Sequence, residues 1–146
     1  MRPAERKPDN RWSEGTAENE LKAEFGADYV DFILCVDKAA YNGYIDKVKK
    51  YVQKNSMHIT TAQLRNIFSR IRGITDYQEI PLLRPKLAYI SGRAEKSAMK
   101  TMLYLLDRLI VGIDSSAKLR QFQDFFEAVV AYHKYCEKIN LGGGKN

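Results

Sequence analysis

The chain has few of the residues from which metal and disulfide sites are made. Its 146 residues include only two cysteines and two histidines. Cys35 and Cys136 are too few for a disulfide scaffold, and both fall within apolar helical patterns, so we expect reduced, buried thiols. A zinc site would need both of them together with His58 and His133, and only His133 and Cys136 have a spacing typical of ligands. Core thiols and a partly buried histidine are the favoured interpretation, and we expect no metal and no cofactor.

Catalytic motifs are missing as well. The Gly142–Gly144 run is terminal, with no strand before it and no helix after it, so it does not have the setting of a phosphate-binding loop. The sequence contains no His-Glu-x-x-His motif and no paired-carboxylate helix motif of the di-iron type. His133 could be imagined as a general base beside Tyr132 or Tyr135, but a lone histidine on an apolar helical seam is more often a hydrogen-bonded core residue. We therefore predict no catalytic residues and no enzymatic activity.

Long apolar runs are also absent. No segment approaches the roughly twenty apolar residues that a membrane-spanning helix needs. The charged N-terminus lacks the apolar run of a signal peptide. We expect a cytoplasmic protein that has no membrane partner.

Apolar residues at helical spacing dominate the rest of the chain, and no alternating strand pattern is present. The spacing predicts a single-domain, all-α bundle of five to six helices with short connections. The predicted helices cover residues 21–36, a segment from about 38 or 44 to 54, and residues 60–73, 82–94, 96–111 and 116–140. Residues 1–16 are predicted to be a disordered arm, residues 17–140 the bundle, and residues 141–146 a flexible, glycine-rich tail.

The third predicted helix has a clear start signal. Thr60 can cap it while Gln63 reaches back, which is the reciprocal capping box. Ile59 and Leu64 have the spacing of a hydrophobic staple, and Gly73 provides a stop. The last predicted helix has an apolar seam at alternating steps of three and four residues: Leu119, Phe122, Phe126, Val129, His133 and Cys136.

Positive charge is concentrated in the middle of the chain. The net charge is +6, and residues 44–108 have thirteen basic and five acidic side chains, whereas residues 1–43 have six and nine. The basic residues form three stripes on successive predicted helices: Lys47, Lys50 and Lys54; Arg65 and Arg72 with Arg70 beside them; and Lys86 and Arg93. A solvated helix face is the ordinary interpretation of one stripe. Three stripes can merge into one surface that binds nucleic-acid phosphates without sequence preference and with steep salt dependence. Tyr89 is the one tyrosine we consider for base stacking.

Three stretches have sequences typical of one protein family: residues 59–68 with their T-T-x-Q-x-R core, residues 85–93 reading P-K-L-A-Y-I-S-G-R, and residues 126–135 reading F-E-A-V-V-A-Y-H-K-Y. Together they resemble the small subunit of the type III-A CRISPR effector, the all-helical subunit of the Csm interference complex. Each stretch is largely amphipathic helix, so their order and spacing matter more than any one motif. The first 35 residues match less clearly, and the terminal glycines lie farther from Tyr135 than the family pattern predicts.

The resemblance implies a non-catalytic role in antiviral defence. Several copies of such a subunit stack inside the ribonucleoprotein and contact target RNA as it pairs with guide RNA. RNA cleavage belongs to the backbone subunits, and the DNA-cleaving and signalling activities belong to the large subunit. The implied partners are guide and target RNA, the large and backbone subunits, and further copies of the chain. Carried over by position, the candidate RNA-binding residues are Arg65, Lys86, Arg93 and Lys134; the stripes add Lys50, Lys54, Arg70 and Arg72.

Three other functions remain open at this point. A helical adaptor or regulator could use the same basic face on an acidic protein and would lose binding less steeply with salt. A DNA-binding regulator would need a helix-turn-helix, and no tight turn and partner helix of the right length frame residues 61–73. The small subunit of the type III-B effector is also helical and basic, and only the three motif sequences quoted above favour type III-A.

Overall fold

The computed structural model describes the backbone of residues 11–143 and the side chains of residues 11–139, and this part of the chain contains helices but no strand. Its seven α-helices are α1 (Glu14–Phe25), α2 (Tyr29–Leu34), α3 (Tyr41–Asn55), α4 (Thr61–Arg72), α5 (Arg84–Arg93), α6 (Ser97–Gly112) and α7 (Ser116–Gly143). Short 3-10 helices, Ser56–His58 and Tyr77–Leu83, precede α4 and α5. The prediction of an all-α bundle is confirmed. The count exceeds six because the first predicted helix is two helices.

Gly26 divides that first predicted helix. Its φ of 103° lies in the left-handed region that side chains with a Cβ avoid, and it ends α1 after Phe25. At the other end, Ser13 caps α1 through a capping box with Thr16. The predicted disordered arm is therefore wrong for Glu14–Thr16, and residues 1–10 lie outside the described residues.

The N-terminal part of the described chain is attached to α6 by Trp12, which precedes the Ser13 cap, and by Glu18 on α1. Trp12 Nε1 donates to Thr101 Oγ1 at 3.0 Å, and its ring makes an edge contact with Tyr104 at a centroid distance of 6.3 Å. The Glu18 carboxylate accepts hydrogen bonds from Tyr29 at 2.6 Å and Tyr104 at 2.8 Å. These contacts join α1, α2 and α6 at one point.

Two long helices organise the core. Helix α7 packs against α2, α3 and α4, whereas α6 packs against α1, α2 and α5. The predicted seam of α7 is confirmed, since all of its members are at most 4% exposed; they are Leu119, Phe122, Phe126, Val129, His133 and Cys136. Helix α2 links the two groups and lies very close to the end of α6. A Cβ on Gly112 would lie only 2.8 Å from Cγ1 of Val30.

Three other predictions need correction. The helix predicted over residues 82–94 is α-helical only from Arg84, and its first apolar residue, Leu82, is 72% exposed. Tyr77–Leu83 is instead a 3-10 helix in which the buried residues Ile80 and Leu83 follow a three-residue period. Cys35 is exposed, because α2 ends at Leu34, whereas Cys136 is buried as predicted. Helix α7 extends to Gly143, which is inside the predicted 141–146 tail, and residues 144–146 lie outside the described residues.

Candidate nucleic-acid interface

Helix α4 presents arginines on one face because its apolar residues are buried on the other. Leu64, Ile67 and Ile71 are at most 1% exposed, and Arg65 and Arg72 are exposed on the far side. The predicted capping box is present: Gln63 N–H donates to Thr60 Oγ1, and Thr60 N–H donates to Gln63 Oε1, both at 3.1 Å. The start and direction of α4 are thus encoded locally.

Both ends of α4 are also fixed to α7. His133 Nε2–H donates to the carbonyl oxygen of Ile59 at 2.5 Å, and it lies 3.2 Å from that of Ser56. Thr61 donates to Glu137 at 2.8 Å, and this hydrogen bond is the main cause that lowers the pKa of Glu137. The prediction of a hydrogen-bonded core histidine is confirmed.

At the other end of α4, the side-chain amide of Gln123 acts as a cap. Its Nε2 donates to the carbonyl oxygens of Ile71 at 3.1 Å and Ile74 at 2.8 Å. Carbonyls in the last turn of a helix have no partner within the helix, so these bonds satisfy groups that burial would otherwise penalise. The arginine face therefore lies on a helix that is tied to α7 at both ends.

Helix α5 presents the second cationic face. Lys86, Tyr89 and Arg93 are exposed, while Leu87 is buried against the bundle. Arg84 Nε lies 2.7 Å from Asp107 Oδ1 and ties α5 to α6. Although partial burial raises the pKa of Asp107, hydrogen bonds from Arg84 and from Arg108 hold it below its usual value.

A groove of about 340 Å³ lies where the start of α4 meets the end of α5. Its basic lining residues are Arg93, Lys96 and the exposed His58, and Glu95 is its acidic residue. The groove is the place where the structure brings Arg93 beside the capping residues of α4. Arg65, Arg70 and Arg72 lie farther along the same helix and do not line it.

The remaining candidates differ in whether a carboxylate pairs with their charge. Lys50 is exposed on α3. Lys54 Nζ lies 2.8 Å from Glu24 Oε2, and this hydrogen bond raises the pKa of Lys54. Lys134 pairs loosely with Glu137 at 3.7 Å. Because an ion pair already compensates part of their charge, Lys54 and Lys134 are weaker candidates than the sequence suggested.

All eight candidate residues are exposed, but they lie on four helices: Lys50 and Lys54 on α3, Arg65, Arg70 and Arg72 on α4, Lys86 and Arg93 on α5, and Lys134 on α7. The α3 and α4 stripes lie on helices that both pack against α7. Helix α5 instead packs against α6, and its connection to the α4 region is the groove at Arg93.

Sequence reasoning missed two of the residues that line that groove, His58 and Lys96. His58 was considered only as a zinc ligand, and Lys96 belongs to no stripe because it lies in the link before α6. Spacing along one helix cannot reveal a site that two connections form together. The signal available was Lys96 itself, a positive side chain in the short link between Arg93 and α6.

A second groove, between α3 and α7, has the opposite character. Its lining includes Asp124 and Glu127 together with Tyr41, Tyr44 and Tyr132. Two exposed carboxylates disfavour the approach of a phosphate backbone. This groove is therefore a weaker candidate for phosphate binding than the one at Arg93.

Within residues 11–143, no helix is both long and apolar enough to cross a membrane. The same part of the chain has no cluster of three acidic, histidine or cysteine side chains that could hold a metal. The sequence profile of the family described as Csm2 Type III-A matches residues 38–138, which is more than half of the chain. The chain belongs to this family. The matched range includes all three stretches on which the resemblance rested, so the resemblance is confirmed.

Membership in the Csm2 family makes the chain a small subunit of the type III-A CRISPR Csm effector, which it forms with other subunits. The type III-B alternative is thereby set aside. No curated protein and no solved structure matches the chain.

Proposed function

We propose that this Csm2 family member is a non-catalytic subunit, present in several copies in a cytoplasmic complex, that lines the channel for guide and target RNA. It binds backbone phosphates of target RNA through its exposed basic residues: Lys50, Lys54, Arg65, Arg70, Arg72, Lys86, Arg93 and Lys134. The observation that supports this most is α4, a helix with three exposed arginines, no acidic residue and both ends fixed to α7.

A rigid, cationic helix face suits a partner whose identity is set by base pairing. Phosphate contacts position a nucleic acid and contain no sequence information. The guide supplies the specificity, and the protein has to hold any target in the same place. A fixed α4 does this at little entropic cost, because its backbone is ordered before RNA arrives.

The burial of His133 and Cys136, the two side chains considered for catalysis, agrees with a non-catalytic role. His133, the best general-base candidate of the sequence, is 3% exposed and its Nε2–H is directed at two backbone carbonyls. Cys136 is buried, and burial raises the pKa of its thiol, which disfavours the nucleophilic thiolate.

Fluorescence anisotropy of labelled single-stranded RNA, measured across a salt series with the full chain, tests the proposal. We expect two unrelated sequences of equal length to bind equally and to weaken log-linearly with salt. The variant Arg65→Glu/Arg72→Glu/Arg93→Glu should lose binding while keeping its circular dichroism spectrum.

The matched control changes three basic residues outside the stripes and shifts the net charge equally: Lys38→Glu/Lys118→Glu/Arg120→Glu. It should retain most of the binding. Equal loss in both variants would show a response to net charge alone and contradict the assigned face. A shallow salt dependence with no preference for nucleic acid would instead favour the adaptor for an acidic protein.

A further inference from the structure

Tyr89 is an aromatic residue that the core does not use. It is 65% exposed on α5, whereas Leu87, two residues before it, is buried. Arg93 Nη1 donates to the Tyr89 hydroxyl at 3.2 Å, and the guanidinium carbon lies 5.8 Å from the ring centroid. The two side chains thus form one exposed unit that combines a planar ring with a cation.

Arg93 also lines the groove at the start of α4. One guanidinium therefore borders both the exposed ring and a groove whose other basic residues are His58 and Lys96. An aromatic platform next to a cationic groove is the arrangement by which proteins hold single-stranded nucleic acid, the base on the ring and the backbone along the positive charge.

We propose that Tyr89, Arg93 and this groove form a subsite for one unpaired nucleotide of RNA. Its base stacks on Tyr89, and its phosphate lies beside Arg93 and Lys96. This inference rests on the proposed function, but it adds a preference that the stripes alone do not supply. A base inside a duplex already has both faces covered by its neighbours, so only an unpaired base can cover the Tyr89 ring.

The Tyr89 hydroxyl and Glu95 each predict how a substitution should change RNA binding at the subsite. The Tyr89 hydroxyl positions Arg93 but is not needed for stacking, so Tyr89→Phe should retain most of the base contact. Glu95 lines the groove as well and opposes phosphate binding, so Glu95→Gln should tighten it.

The test uses the full chain and two RNA probes of equal length. One is a single strand with 2-aminopurine flanked by uridines, whose fluorescence falls when the base stacks, and the other is a fully paired RNA duplex. Tyr89→Ala should weaken binding of the single strand about fivefold, the effect of one lost base–aromatic contact, and abolish the quenching. Its affinity for the duplex should equal that of wild type. Tyr41→Ala, which removes an exposed tyrosine next to the acidic groove, is the matched control and should change neither probe.

The outcomes separate the subsite from the proposed function. If wild type binds RNA with steep salt dependence but Tyr89→Ala changes neither affinity nor quenching, the subsite is wrong and the phosphate-binding role stands. Equal weakening of both probes by Tyr89→Ala would assign Tyr89 a structural role and also overturn the subsite. If wild type binds neither probe at low salt, the proposed function and the subsite are both overturned.

Discussion

His133 on α7 donates from Nε2 to the carbonyl oxygen of Ile59, the residue just before the cap of α4, over 2.5 Å. The two residues are 74 positions apart in sequence. The local capping box sets where the arginine helix begins, and the buried histidine holds that start against α7. It therefore supports the position of the arginine face.

Replacing His133 should therefore cost stability. His133→Ala leaves the buried carbonyls of Ser56 and Ile59 without their donor, which costs about 1–3 kcal/mol. Urea denaturation measures the loss as a lower midpoint. The matched control is His58→Ala, because His58 is exposed; its midpoint should stay close to that of wild type. Equal effects of the two substitutions would contradict the importance of the Ile59 contact.

Glu18 should make folding sensitive to acid. The hydrogen bond from Tyr29, followed by those from Tyr104 and Lys22, holds the pKa of Glu18 below its usual 4.5. Because the folded-state pKa is lowered, this stabilisation is complete above about pH 4.5 and is lost as the pH falls through the folded-state value. Urea midpoints between pH 7 and pH 3 should fall less steeply for Glu18→Gln than for wild type. The exposed Glu79 provides the control, and Glu79→Gln should follow the wild-type curve.

Replacing Gly26 with alanine should destabilise the protein, whereas replacing Gly43 with alanine should stabilise it. Gly26 has a φ of 103°, and a Cβ in such a conformation costs on the order of 1–3 kcal/mol. Gly43 lies inside α3, and a Cβ there would meet no atom within 4 Å. Gly43→Ala should therefore stabilise the protein by about 0.5–1 kcal/mol through helix propensity. Thermal denaturation of the two variants measures both effects, and a gain at Gly26 would show that α1 and α2 join into one helix.

Lys50 and Lys54 should differ in their contributions to RNA binding. Lys50→Ala should reduce the salt dependence of single-strand binding by about 0.7 in log–log slope, the value for one phosphate contact. Lys54→Ala should change the slope less, since Glu24 already compensates this charge. Glu24→Gln should strengthen binding more than Glu20→Gln, which removes the same charge from α1 but does not break the ion pair. Identical slopes for both lysine variants would count against this distinction.

Features encoded within a few residues were predictable from sequence. The capping box of α4 depends on Thr60 and Gln63, three residues apart, and the seam of α7 follows from helical periodicity. The same periodicity wrongly predicted one helix across Gly26, because α1 and α2 both bury apolar faces and their apolar pattern continues across the break. It also misled at Leu82, where a 3-10 helix has a different period from an α-helix.

The site was less predictable than the fold, because its geometry depends on distant pairs. Nothing near Lys54 in sequence indicates that Glu24 will take up its charge. Likewise, Trp12 was assigned to a disordered arm, since its partner Thr101 is 89 residues away. The groove that joins Arg93 to the start of α4 arises only when α4 and α5 are placed on their different supporting helices.

The region shared with the Csm2 family is smaller than the unit that folds. The match begins at residue 38, yet Leu21, Phe25, Tyr29 and Ile33 all lie before it and are at most 3% exposed in the common core. A fragment trimmed to the matched range 38–138 would lack α1 and α2, and the apolar faces of α6 and α7 that they cover would be exposed to water. Any truncation meant to isolate the basic helices must therefore retain the chain from before Trp12, and aggregation of a shorter fragment would not test the proposed RNA binding.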